Sequence, residues 1–193
     1  IKQALGDHKG ARAAAREAVQ IAQHGNVPRL VGLTSAYQAR IWLAQGRLDP
    51  AARWADGYRQ IGETEYLREF EDLTLARVLL AQGDPAEALA LLDAHLSPAR
   101  VAGRLSAVIE IQVLRALALT DLDEALAALG EALSLAEPEG YVRLFVDVGE
   151  PVRRLLKQAA ARGIAPGYVG RLLSACGPAH GADVHALQPL VEP

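Results

Sequence analysis

Arg40–Gly46 reads RIWLAQG, and the same pattern returns at Arg77–Gly83 as RVLLAQG. A looser copy, RALALTD, occupies Arg115–Asp121, and Ala4–Gly6 matches the last residues of an earlier copy. The copies end 37 to 40 residues apart along the chain. A period of this size is typical of stacked helix-pair repeats.

The same residues punctuate each repeat. A first helix ends at a glycine, which adopts the left-handed C′ conformation at little cost. Asp-Pro then opens the next helix at Asp49-Pro50 and at Asp84-Pro85, because Asp accepts hydrogen bonds from free backbone N–H groups and Pro fits the first turn. The predicted helices span 8–24, 28–45, 50–61, 65–82, 85–96, 101–119, 122–136, 140–147, 151–162 and 166–175.

Leucines then fall on one face at helical spacing, as at Leu126, Leu129 and Leu133. Small alanines suit the closest approaches between helices. We therefore predict an all-α fold of tetratricopeptide-like antiparallel helix pairs stacked into a superhelix. The predicted helical-repeat domain covers residues 1–176, and Gly, Pro and His break the pattern over 177–193, which we interpret as a flexible linker.

Composition excludes several classes of protein. The 193 residues carry a net charge of −3, which gives no electrostatic footprint for nucleic acid. A single cysteine, Cys176, excludes an internal disulfide framework and fits the reducing cytoplasm. The most apolar stretch, Leu105–Leu119, is interrupted by Glu110 and Arg115, so we predict no membrane span. The chain opens at Ile1 and contains no Met, which indicates a segment of a longer protein.

The segment Ala136–Pro151 reads AEPEGYVRLFVDVGEP and is the most distinctive in the chain. It resembles the end of the helical-repeat region in large LuxR-type transcriptional regulators of the maltose-activator kind. There a Gly-Tyr-x-Arg-x-Phe-x-Asp-x-Gly stretch precedes a Leu-rich helix, supplied here by Leu155 and Leu156. In those regulators a Leu-x-Glu-Pro similar to Leu190–Pro193 commonly precedes the DNA-binding domain.

The resemblance implies an effector-sensing and protein-interaction domain. Such regulators also carry an N-terminal nucleotide-binding switch and a C-terminal helix-turn-helix domain, and this sequence contains neither a phosphate loop nor a recognition helix. The implied partners are a small-molecule or protein effector and the other domains of the parent regulator, with no nucleic acid bound by this segment alone. Self-association is left open. The alternative is a stand-alone tetratricopeptide-like scaffold that binds a peptide or a protein.

Five residues on the first helices of the pairs are the candidate effector site. Such helices generally line the concave face of the array, where a ligand is well buried. Guanidinium groups bind carboxylate or phosphate, and aromatic rings cover apolar parts of a ligand. The candidates are Tyr37, Arg40, Trp42, Arg77 and Arg115. The three arginines sit at equivalent repeat positions, and the alternative is an architectural ladder in which each bonds a neighbouring helix.

No constellation for catalysis stands out, so we predict that the chain is not an enzyme and uses no cofactor. We interpret the acidic run of Glu63, Glu65, Glu69, Glu71 and Asp72 as a solvated helix face, because its spacing matches no calcium loop. Cys176, His180 and His185 lack a fourth zinc ligand and are interrupted by Gly177-Pro178, so no metal site is predicted.

Overall fold

A computed structural model describes residues 2–59 and 68–176. Within those ranges the chain is helical and contains no strand, which confirms the predicted all-α, tetratricopeptide-like fold. A short 3-10 turn, Gln3–Leu5, comes first. The helices are α1 (His8–His24), α2 (Pro28–Ala44), α3 (Leu48–Arg59), α4 (Glu69–Gln82), α5 (Pro85–Val101), α6 (Leu105–Ala118), α7 (Leu122–Ala136), α8 (Arg143–Val146), α9 (Glu150–Ala161) and α10 (Pro166–Ala175).

The chain divides into two compact units after Gln82. In unit 1, α2 packs against α1, α3 and α4, and α3 also packs against α4. In unit 2, α6 packs against α5 and α7, and α9 packs against α7 and α10. Three residues separate α1 from α2, α2 from α3, α5 from α6 and α6 from α7. Because packed helices joined by so short a turn must run in opposite directions, these are the predicted antiparallel pairs.

Alanine alone fills the buried positions of the first three helices. They are Ala11, Ala15 and Ala22 in α1, Ala36 and Ala39 in α2, and Ala51 and Ala55 in α3. Helix axes approach most closely where the side chains between them are small. The prediction that alanines occupy the closest approaches agrees with this part of unit 1.

Larger aliphatic side chains build the core of unit 2. Leu126, Leu129 and Leu133 are all buried on α7, as their spacing predicts. They pack with Phe145, Leu156 and Leu172 among others, so the core extends from α6 to α10. Burying a side chain of this size contributes about 1.5–3 kcal/mol.

Two glycines end helices in the way the sequence predicts. Gly46 and Gly83 follow α2 and α4 with φ of +68° and +87°, in the left-handed region. The Asp-Pro prediction needs a correction. Asp84 stands at the N-cap of α5 but its side chain caps no N–H group, and Asp49 already lies inside α3. At both sites proline restricts the backbone to helical φ at the first turn, and this local constraint starts the helix without a side-chain cap.

Asp121 does act as a side-chain cap, and this contrast yields a prediction. Its carboxylate accepts hydrogen bonds from the N–H groups of Asp123 and Glu124, both at 2.9 Å. Asp121→Ala is expected to lower the free energy of unfolding by about 1 kcal/mol. Asp84→Ala is the matched control, and only the weaker attraction of its charge to the helix N-terminus, about 0.5 kcal/mol, is lost there. Urea denaturation of both variants checks this, and equal losses would contradict it.

Helix α5 is longer than predicted. The sequence analysis places its end at Leu96, yet the helix continues through Pro98 to Val101, and α6 begins at Leu105, not at residue 101. Proline removes one backbone hydrogen bond in a helix interior. Ala99, one residue beyond it, is fully buried. Packing of this last turn therefore outweighs the lost bond.

The distinctive segment after α7 is a structural cap on the core of unit 2. Gly140 and Gly149 bound it, both with positive φ, and Phe145 is fully buried between them. The Phe145 ring meets that of Tyr168 edge-on, with centroids 6.1 Å apart and planes at 87°. The Tyr168 hydroxyl donates to the Tyr141 carbonyl. The residues that carry the family resemblance thus hold α8 against α10.

No helix among the described residues has the length and apolar character needed to cross a bilayer.

The predicted linker 177–193 lies outside the described residues, so the boundary at residue 176 stays a prediction.

Candidate functional site

Tyr37 and Arg40 converge on Phe70 of α4. The Tyr37 and Phe70 ring centroids are 4.3 Å apart, and the Arg40 guanidinium carbon lies 4.0 Å from the Phe70 centroid. Arg40 Nε donates to Thr74 Oγ1 at 2.7 Å, and its terminal nitrogen donates to the Phe70 carbonyl at 3.3 Å. Arg40 therefore joins two adjacent first helices of the repeat.

Arg115 is also held by internal contacts, in unit 2. Its Nε donates to Asp93 Oδ1 at 2.7 Å, and Nη1 donates to Gln112 Oε1 at 2.7 Å. The Gln112 amide in turn donates to Glu131, which pairs with Arg100. These are the contacts that the architectural alternative expects. Arg77 lies half-buried in α4.

Trp42, the remaining candidate, lines an open pocket of about 460 Å³ in unit 1. We call it the tryptophan pocket. It is lined by Arg16, Trp42, Arg47, Pro50, Arg53 and Trp54. Arg16 comes from α1, Arg47 from the turn before α3, and the last three from α3. Within unit 1 the structure does not bring the predicted residues to one site: Tyr37 and Arg40 meet at Phe70, whereas Trp42 lines this pocket. Arg77 also belongs to unit 1, and Arg115 belongs to unit 2.

A chain of contacts fixes one wall of the tryptophan pocket. The Trp54 indole N–H donates to Ser35 Oγ at 3.2 Å. The ring stacks on Tyr58, with centroids 5.3 Å apart and planes at 10°. The Tyr58 hydroxyl donates to Asp72 Oδ1 at 2.7 Å, and burial together with this bond raises the pKa of Tyr58. Trp54 is thus held by α2 and, through Tyr58, by α4.

The pocket has a strongly positive rim. Arg16, Arg47 and Arg53 are exposed, and the guanidinium group of none of them forms an ion pair or hydrogen bond with a residue in the described ranges. Elsewhere guanidinium groups such as those of Arg29 and Arg162 pair with carboxylates. Three unpaired guanidinium groups around two indole rings can bind anions and stack on planar groups.

Sequence reasoning missed Arg16, Arg47, Arg53 and Trp54. The sequence did contain one signal. Trp42 lies before the turn between α2 and α3, and Trp54 lies after it, so the antiparallel pairing of these helices brings the two tryptophans to the same end of the helix pair. Arg16 carries no such signal, because its place depends on how α1 packs against α2.

A second depression, of about 390 Å³, lies in unit 2. It is lined by Gln112, Arg115, Leu119, Glu124, Ala127, Ala128 and Glu131. The network from Arg115 through Gln112 to Glu131 already occupies its main polar groups. We therefore take the tryptophan pocket as the candidate site.

The acidic run differs from its prediction as a solvated face. Glu71 and Asp72 are only 2% and 5% exposed. Glu71 pairs with Arg29, and Asp72 accepts the bond from Tyr58, so these partners offset the cost of burial. Glu63 and Glu65 lie outside the described residues.

The described residues contain no group of three His, Cys, Asp or Glu side chains placed to hold a metal ion. Cys176 is half-buried after α10, and burial raises the pKa of its thiol. His180 and His185 lie outside the described residues.

Comparison with known proteins adds one finding. The family model described as the MalT-like TPR region matches residues 1–162. No curated protein and no solved structure matches the chain.

Proposed function

The chain belongs to the family of MalT-like TPR regions, and from this membership we propose that it is the effector-sensing and protein-interaction domain of a LuxR-type transcriptional regulator. The match over residues 1–162 is the observation that carries the proposal. Tetratricopeptide-like repeat domains are generally non-catalytic, and we propose that this one acts by binding, in the cytoplasm.

The tryptophan pocket supports a sensing role. It is lined by residues of α1, α2 and α3, so a ligand there contacts three consecutive helices of unit 1. A ligand that favours one arrangement of these helices shifts the population toward that arrangement. In a regulator, this shift would be passed to the neighbouring switch domain.

A reporter experiment with the full gene product tests this function. The complete open reading frame is cloned and expressed with a reporter under its own target promoter. The proposal expects a phosphate-loop module before this segment, a helix-turn-helix after it, and transcription that responds to an effector. Trp42→Ala should weaken that response, whereas Tyr141→Phe, in the other unit, should not. A reading frame without the flanking modules would favour the alternative, a scaffold that binds a peptide or protein partner.

The chain alone should bind no DNA specifically, since its net charge is −3. A sequence-specific mobility shift that weakens with salt would contradict this part of the proposal.

The arginine ladder gives a separate prediction, because Arg40, Arg77 and Arg115 are candidate effector contacts. Replacing an arginine that holds an anionic effector with alanine should weaken the free energy of binding by about 1.5–3 kcal/mol. A purely architectural Arg115, whose side chain is 23% exposed and pairs with an exposed Asp93, should instead cost about 1 kcal/mol of stability.

Each of the three Arg→Ala variants is therefore assayed twice, for melting temperature and for effector affinity per folded molecule. If all three lower the melting temperature and none weakens binding, the ladder is architectural and Arg40, Arg77 and Arg115 leave the site.

A further inference from the structure

We propose that the tryptophan pocket binds a nucleoside polyphosphate, with the phosphates on Arg16, Arg47 and Arg53 and the base against the indole rings. This inference rests on the proposed function, because it names the ligand class of an effector for the same site.

The charge of the pocket calls for a polyanion. Three guanidinium groups from α1, from the turn Gln45–Arg47 and from α3 line one pocket, and no carboxylate in the described ranges pairs with them. The whole chain has a net charge of −3, so this rim is positive against a negative background. A guanidinium binds phosphate through two parallel hydrogen bonds, and it keeps its charge at any physiological pH.

The two indoles call for a planar group. The face of an indole ring can stack on any nucleobase, because every base has a π-face. Trp54 is already held by Ser35 and Tyr58, as described above, so little of its rotational freedom is lost when a base arrives. Arginine beside an aromatic ring also favours a ligand that combines negative charge with a flat apolar part.

The size of the pocket favours a small molecule over an acidic peptide. About 460 Å³ lies within the range of ordinary small-ligand pockets. All six lining residues lie in the stretch from α1 to α3, whereas an extended peptide on a repeat array is contacted by residues of many successive repeats.

The chain offers a direct readout of this site. It contains two tryptophans, and both line the pocket, so the indole emission of the protein reports on the pocket alone. The full 193-residue chain is titrated with ADP, with pyrophosphate and with adenosine at low salt. We expect ADP to quench the emission saturably, and pyrophosphate and adenosine to bind at least about tenfold more weakly, because each lacks one half of the ligand.

Single substitutions then assign the charges. Arg47→Gln and Arg53→Gln should each weaken ADP binding about tenfold, the scale of one hydrogen-bonded charge. Arg154→Gln is the matched control: its guanidinium lies on α9 in unit 2, 3.8 Å from Glu150, and its loss should leave the affinity unchanged. Circular dichroism melts of all variants verify that they fold.

Several outcomes would overturn the inference. If pyrophosphate bound as tightly as ADP, the indole rings would contribute nothing to binding. If adenosine bound as tightly as ADP, the arginines would contribute nothing. Tighter binding of hexaglutamate than of ADP would assign the pocket to an acidic peptide, and no saturable quenching by ADP would exclude the nucleotide. In any of these cases, a reporter response that still depends on Trp42 leaves the proposed function standing. If ADP binds but transcription does not respond to any effector, the nucleotide site is supported and the proposed regulatory function fails.

Discussion

Phe145→Ala is expected to lower the free energy of unfolding by about 3–5 kcal/mol. Phe145 has no exposed surface and lies at the centre of the cap formed by residues 140–149. Its removal loses the transfer free energy of the ring and the edge-on contact with Tyr168, and it leaves a cavity that the single turn of α8 cannot fill.

Urea denaturation followed by circular dichroism measures this loss. Phe145→Leu should recover a large part of it, because leucine refills much of the volume. Val101→Ala serves as the control for an apolar truncation, since Val101 is 87% exposed, and it should change stability by less than about 0.5 kcal/mol. A loss below about 1 kcal/mol for Phe145→Ala would mean that the segment does not cap the core.

Ala39→Leu is expected to cost about 3 kcal/mol, the upper end of the range for overpacking. Ala39 is fully buried in α2, and every buried residue of α1, α2 and α3 is an alanine. A leucine there would have to separate helices that approach closely, which breaks contacts along their whole length.

Ala13→Leu is the matched control, because Ala13 is exposed on α1 and the same three carbon atoms would extend into solvent. Its stability should stay within about 0.5 kcal/mol of the parent chain. Indole emission follows unfolding in both variants, since both tryptophans lie in unit 1. Equal stability of the two variants would show that these helices have room between them.

Much of the fold follows from local signals. The Arg-x-x-Leu-Ala-Gln-Gly pattern at two positions and the positive φ of its glycines are short-range features, so α2 and α4 end within one residue of the prediction. The extension of α5 through Pro98 could not be read in this way, because it depends on the burial of Ala99 by other helices. Asp84 fails as a cap for a similar reason: a residue type permits a hydrogen bond, but the backbone angles decide whether it forms.

The candidate site was harder to predict than the fold. Trp42 was singled out for its place on a first helix, and it does line a pocket. Its neighbours Arg16 and Arg53 come from helices whose rotation about their axes is set by packing, and no sequence periodicity reports that rotation. Buried Glu71 and Asp72 show the same limit, since their partners Arg29 and Tyr58 are distant in sequence.

The three-residue turns between packed helices also bear on how quickly the chain reaches its native state. Each pair closes over a short loop, and the contacts it makes are between residues close in sequence. Chains with such low contact order search few conformations before productive contacts form, and they fold faster than proteins built on distant strand pairing. Each hairpin can also nucleate by itself and recruit the next. During synthesis α1 and α2 can therefore associate on the ribosome before α10 has been translated. Their apolar faces are then covered early and are less accessible to other nascent chains.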